Sequence, residues 1–162
     1  MIGDQDQAEG DTRSAVIDRR CRVQESVPGK GVFAIEPIDA GEWVIMLSPV
    51  FDEQPSRHSI QVGEHRHQAY TGETDDFVNH SCMPNARVDT ENLRLVAVRP
   101  VTAGEEITID YEASEWDLAE PFKCLCDGQV RVVRGFRHLS AAEQLALAPL
   151  VPAWLWERRT VT

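Results

Sequence analysis

The run Asn79-His80-Ser81-Cys82-Met83-Pro84-Asn85 concentrates hydrogen-bonding groups in seven residues. Asn and His side chains offer donors and acceptors in a small space, enough to tie an irregular loop to neighbouring backbone. A plain Asx-type turn before Pro84 would use the same residues. Nineteen residues further on, Gly104-Glu105-Glu106-Ile107-Thr108-Ile109-Asp110-Tyr111 reads as a turn feeding a short strand that ends on Tyr111. A phenol orients a ligand by hydrogen bonding without adding a full charge, although a tyrosine at a strand end is ordinarily amphipathic packing. Cys82, Cys124 and Cys126 suit metal binding or remain simple thiols. A disulfide framework is not expected in a chain of this size without a secretory signal. Gly29-Lys30-Gly31 allows close backbone approach to a ligand. It lacks the further glycine of a dinucleotide fingerprint, and a structural turn is its ordinary reading.

The elements that must position these residues are short. Residues 32–35, 43–47, 59–62, 86–88, 93–98 and 106–109 are apolar and β-branched, broken by Gly and Pro, and read as strands. Residues 34–45 and 97–108 repeat one another, with Ala, Pro, Ala, Gly and Glu at matching positions. The unit is strand, proline-led loop, Ala-Gly turn, strand. Proline removes a ladder donor, and glycine supplies the positive φ such a turn needs. Two copies point to a pseudo-symmetric, mostly β core. After Tyr111 the chain becomes acidic around Trp116, then carries Phe122, Cys124 and Cys126. Ser140-Ala141-Ala142-Glu143 has capping-box form and opens a short helix expected to stop before Pro149. Trp154, Leu155 and Trp156 are expected to pack the C-terminal segment onto the body. Residues 1–14 are polar and acidic and read as a disordered tail.

The 162 residues suit one domain with a small appendage, large enough for a core without staples. A net charge of -11, from 16 basic and 27 acidic side chains, argues against nucleic acid as a partner. It favours basic protein segments or amines. The N-terminus lacks the basic start and apolar stretch of a secretory signal, and no apolar run is long enough to cross a membrane. A cytoplasmic protein is expected.

In this order, the Gly29-Lys30-Gly31 loop, the Asn79–Asn85 run and the strand before Tyr111 resemble the SET-domain methyltransferases over roughly residues 16–139. The resemblance implies a mostly β SET-domain fold of several short curved sheets with a pseudoknot loop, plus a short C-terminal helix. It divides the chain into the tail at 1–14, a SET domain at 15–112, a post-SET-like segment at 113–139, and the helix and Trp-bearing tail at 140–162. It implies that Gly29, Lys30, Gly31, Asn79, His80 and Phe122 bind S-adenosylmethionine, with Phe122 over the adenine. Tyr111 then orients the amine, supported by Asp110 and Glu106. Methyl transfer from a sulfonium is an in-line displacement that needs a neutral amine, water exclusion and oxygen acceptors around the methyl. The implied substrate is a lysine ε-amine of a basic protein or peptide. A small amine-bearing molecule, or a non-catalytic SET module that binds a partner, are the alternatives. The oligomeric state stays open.

The same resemblance places Cys82, Cys124 and Cys126 at three ligand positions of a zinc site. Arg131 stands where a further cysteine is expected. The fourth ligand could then be Cys21, His138, Asp127 or water, or the site is degenerate and empty. Ile109 sits two residues before Tyr111, a position that influences how many methyl groups fit. Asp76 stands where many family members carry arginine. His58, His65 and His67 read as polar loop histidines, or as a metal trio.

Overall fold

The two copies of the repeat meet and bond reciprocally at the centre of the fold. The computed structural model describes residues 20–27, 29–126 and 128–159; the expected tail at 1–14 lies outside them. Ala34 N–H donates to Glu105 O and Ala97 N–H to Glu42 O, both at 2.9 Å. Gly104 N–H donates to Ala34 O and Gly41 N–H to Ala97 O, both at 2.8 Å, while Ile38 and Val101 bond each other in both directions at 2.9 Å. Gly41 and Gly104 take φ of +87° and +84°, the left-handed region open to glycine. Glu42 and Glu105 close their turns alike, accepting from the N–H of Asp39 and Thr102 at 3.0 Å. Each also meets an arginine, Arg20 or Arg99.

Small sheets grow from this centre. β1 (Cys21–Ser26), β2 (Gly29–Ala34), β10 (Glu106–Ile109) and β7 (Asn79–His80) form a four-stranded sheet in that order. β3 (Trp43–Met46), β9 (Arg94–Ala97) and β8 (Ala86–Asp89) form a second. β4 (Phe51–Asp52), β6 (Arg66–Gln68) and β5 (Gln61–Gly63) form a third, and β11 (Phe122–Cys124) pairs with β12 (Arg131–Val133). Val32, Val44, Ile45, Leu95 and Ile107 are fully buried between them. Their burial supplies the main driving force for this arrangement.

The pairing of β7 with β10 is parallel, with Thr108 opposite Asn79 and Ile109 opposite His80. Asn85 fastens this crossing, donating to Glu106 O at 2.7 Å and accepting from Thr108 N–H at 2.9 Å. It is the place where the family resemblance puts its pseudoknot. β10 covers the strand residues 106–109 read from the sequence, and Tyr111 lies just beyond the strand rather than at its end. Asp110 accepts from Glu112 N–H at 2.9 Å and caps the one-turn helix α1 (Tyr111–Ser114). α2 (Ala141–Leu147) begins with the expected capping box of Ser140 and Glu143. A further helix, α3 (Ala153–Arg158), follows Pro152; it buries Leu155 and brings Trp156 within 6.4 Å of Phe136. Among the described residues no helix is long and apolar enough to cross a membrane.

Candidate active site

Gly31 faces a crowded cradle. A Cβ built on it would collide with the Glu106 carboxylate and stand 3.0 Å from Ser26 Cβ and 3.1 Å from Asn79 Nδ2. β1, β2, β7 and β10 therefore converge at a point that admits no side chain at residue 31. Asn79 Nδ2 donates to Lys30 O at 2.9 Å and to Glu106 Oε1 at 2.8 Å, and Ser26 Oγ reaches the same carboxylate. The Lys30 ammonium lies 5.3 Å from the centre of the Phe77 ring, a cation–π contact that holds the loop to the residue before Val78. Gly29 turns the chain into β2 at φ +97°.

His80, Tyr111 and Phe122 meet as rings, with centroids 5.3 Å (His80–Tyr111), 5.5 Å (His80–Phe122) and 6.0 Å (Tyr111–Phe122) apart. Three distant segments thus form one aromatic corner beside the Gly31 cradle's Asn79. The Tyr111 hydroxyl donates to Val78 O at 2.6 Å. Burial, with Glu115 and Glu106 nearby, raises its pKa above the usual tyrosine range, so it stays a neutral donor. Tyr111 N–H donates to His80 Nδ1 at 3.2 Å. Burial holds His80 neutral, pushed down to about 4, and raises Asp110 to about 6. The 3.6 Å separation of His80 Nδ1 from Asp110 Oδ1 is therefore a polar contact of a neutral ring rather than an ion pair.

The thiols come together on the other side of His80. One ligand atom each from His80, Cys82, Cys124 and Cys126 lie within 4.8 Å of one another. His80 Nε2 is 3.4 Å from Cys82 Sγ and 4.0 Å from Cys126 Sγ. A Cys3His set is a recurrent tetrahedral zinc environment, and the donor set fits that metal. Binding through Nε2 would require the ring proton on Nδ1, so metal binding would exchange the bond accepted from Tyr111 N–H for one donated to the adjacent Asp110 carboxylate, the carboxylate–histidine arrangement that orients zinc ligands. The fourth-ligand alternatives Cys21 and His138 are corrected by this geometry. Cys21 is buried under β3 with Sγ 3.9 Å from Val44 O, and burial pushes its thiol up to about 12. His138 pairs with Asp117 at 2.8 Å. Asp127 lies outside the described residues. Arg131 is opposite Cys124 across β11–β12, and its guanidinium bonds the buried Glu112 carboxylate.

The histidine trio does not assemble among the described residues. The His58 ring lies tilted against Tyr70, with centroids 5.3 Å apart, His65 is exposed, and His67 is buried in β6 rather than in a polar loop. Asp76 is also buried and accepts from Thr71 N–H at 2.9 Å. It shapes a turn, a job that its carboxylate can do and a guanidinium cannot.

A pocket opens beyond Tyr111, between residues 56–60 and Leu118–Ala119, floored by Val78, Ile109 and Tyr111. Ile109, two residues before Tyr111, also lines it. Two acids in its wall, Asp75 and Glu115, were not singled out from the sequence. Nothing local marks them, because they reach the pocket only through long-range folding.

A cradle closed to side chains, an aromatic corner and a pocket thus meet at Tyr111. The chain belongs to the SET domain family, whose model matches residues 29–112, just over half of it. It is similar to the Methyltransferase flvH of Aspergillus flavus, at 40% identity over 41% of this chain and 39% of that protein. It is similar to an H3 lysine-36 specific histone-lysine N-methyltransferase of Candida albicans, at 27% identity over 86% of this chain and 20% of that protein. The histone-lysine N-methyltransferase set9 of Schizosaccharomyces pombe is 32% identical over 70% of this chain and 29% of its own length. The chain thus spans two fifths or less of each of these relatives.

Proposed function

We propose that this protein transfers a methyl group from S-adenosylmethionine to a lysine ε-amine of a basic protein or peptide. The observation that carries the reading is the shared position of Tyr111, between the Gly31–Asn79–His80–Phe122 side and the pocket floored by Val78 and Ile109. S-adenosylmethionine, when bound, supplies the sulfonium methyl. Gly31, by carrying no side chain, lets Glu106 and Asn79 close against β2, so that Asn79 and His80 form the wall the cofactor would lie on, and the Phe122 ring offers a face for the adenine. Tyr111 orients the incoming amine from the opposite side, and Asp110 and Glu106 hold the flanking loops. Cys82, Cys124, Cys126 and His80 would hold zinc, fixing β11 and hence Phe122 against the β7 loop. A net charge of -11 favours a basic substrate segment.

The second reading, a small amine as acceptor, draws on the flvH relative, whose name specifies a methyltransferase without a histone substrate. One experiment addresses both. Basic peptides and free amines are incubated with S-adenosylmethionine, and methylated products are read by mass spectrometry. Peptide methylation at lysine supports the first reading and methylation of free amines alone supports the second. Calorimetric binding of S-adenosylmethionine with no transfer to either would favour the non-catalytic module.

A further inference from the structure

The pocket that Tyr111 floors has two acidic walls and an unusual electrostatic gap. Glu115 is 4% exposed, and Asp75 is 2% exposed. Among the described residues, neither forms an ion pair with a lysine, arginine or histidine. A buried carboxylate without a counter-charge is costly. Asp75 is already engaged, its Oδ2 accepting from Ser48 N–H and from Gln68 Nε2, both at 2.6 Å. Glu115 is fixed at one end, where Oε1 accepts from Gln61 N–H at 2.8 Å. Its own N–H donates to Tyr111 O at 2.9 Å, so the turn of α1 locks it beside the tyrosine. Tyr111 cannot serve as the base, because its hydroxyl is committed as a donor to Val78 O.

We propose that Glu115 accepts the proton of the substrate ammonium inside this pocket, delivering the neutral amine to Tyr111. The inference rests on the reading of the pocket as the methyl-acceptor channel. In the step, the R–NH3+ group gives one proton to the Glu115 carboxylate, leaving R–NH2 and a neutral carboxylic acid. The amine lone pair then forms the C–N bond as the C–S bond of the sulfonium breaks. The products are a methylammonium and a neutral thioether, and Glu115 later returns its proton to solvent. Burial pushes Glu115 up to about 7, which suits a base working near neutrality. The other titratable or charged groups around it are Asp75, Tyr111, and Arg57 and His58 at the pocket rim. His67 lies opposite Gln61 across β5–β6.

The test is the pH dependence of transfer to a lysine-bearing basic peptide, for the wild type, Glu115→Gln and Asp75→Asn. Gln keeps an acceptor for Gln61 N–H but takes no proton. The wild-type rate should rise with pH and level near 7. Glu115→Gln should lose about 100-fold at pH 7. Its rate should keep rising toward the amine's own pKa of about 10.4, with S-adenosylmethionine affinity unchanged by calorimetry. An equal loss at every pH would make Glu115 structural and overturn the proposal, as would a profile displaced only by Asp75→Asn. If Glu115→Gln does not fold, the wild-type profile decides: levelling near 7 supports the proposal and an unbroken rise past 9 overturns it. Absence of any transfer by the wild type, despite cofactor binding, would remove the channel reading itself and this inference with it.

Discussion

At the scale of single residues, the proposed chemistry turns on two groups: the Tyr111 hydroxyl and the hydrogen that Gly31 carries in place of a side chain. Tyr111→Phe removes the oxygen that bonds Val78 O at 2.6 Å and faces the pocket, while leaving the ring against His80 and Phe122. The rate of methyl transfer should fall by about 100-fold or more, the size of effect seen when one oriented polar group is lost from a reacting centre. S-adenosylmethionine affinity, measured by calorimetry, should stay within about twofold because the aromatic contacts survive; each tenfold in affinity would need about 1.4 kcal/mol. Gly31→Ala should do the reverse. Its methyl must displace the Glu106 carboxylate and crowd Asn79 Nδ2, so cofactor affinity should weaken by about tenfold, a cost within the range for overpacking. Retention of wild-type affinity by Gly31→Ala would show that the cradle is not part of the cofactor site.

At the scale of elements, the β11–β12 hairpin is joined to α1 by a charge pair buried at its Glu112 end. Glu112 is 2% exposed, its carboxylate bonds the Arg131 guanidinium, and it also accepts from Arg134 N–H at 3.2 Å. Arg131→Ala would leave that carboxylate buried without its cation, at a cost of about 3 kcal/mol, and should lower the urea midpoint accordingly. Glu112→Gln, which keeps an acceptor for Arg134 N–H, should cost less; equal losses would mean that packing rather than charge is at stake. The sequence carried the repeat clearly because Pro and Gly recur at fixed offsets, and these residues constrain backbone locally. It carried the α2 capping box for the same reason. It placed β10 correctly at 106–109 but missed the helix that starts at Tyr111, because Asp110 caps a helix only one turn long that tertiary contacts sustain. It also missed α3, where six residues behind Pro152 read as a packing tail. The Cys82, Cys124 and Cys126 grouping was legible from the family resemblance. His80 as their neighbour was not, since it depends on how β7 lies against β10 and β11. Asp75 and Glu115 carry no local signature and meet at the pocket only in three dimensions.

At the scale of the whole molecule, the buried acids of the pocket wall and Glu105 in the turn of the repeat set opposing trends in stability. Burial raises Asp75 from 3.8 to about 6 and Glu115 from 4.5 to about 7. The folded state therefore binds these protons more tightly than the unfolded chain. The stability they contribute is full below their unfolded values and is lost as pH rises through 6 and 7. Glu105 runs the other way: hydrogen bonds from Arg99, Thr102 and Asn85 outweigh its partial burial and hold it down to about 2. Its contribution is present above 4.5 and fades as pH falls toward 2. Asp75→Asn isolates the first trend, because an asparagine oxygen can still accept from Ser48 N–H and Gln68 while carrying no charge. The variant should gain on the wild type between pH 4 and pH 8 by on the order of 3 kcal/mol, since each pH unit of displacement is worth about 1.4 kcal/mol. Urea unfolding of both proteins across that interval measures the gain. A difference that stays constant with pH would mean that Asp75 remains ionised in the folded protein. The pocket would then hold a permanent negative charge as well as a proton acceptor, and a cationic side chain entering it would be drawn by Coulomb attraction before any proton moves.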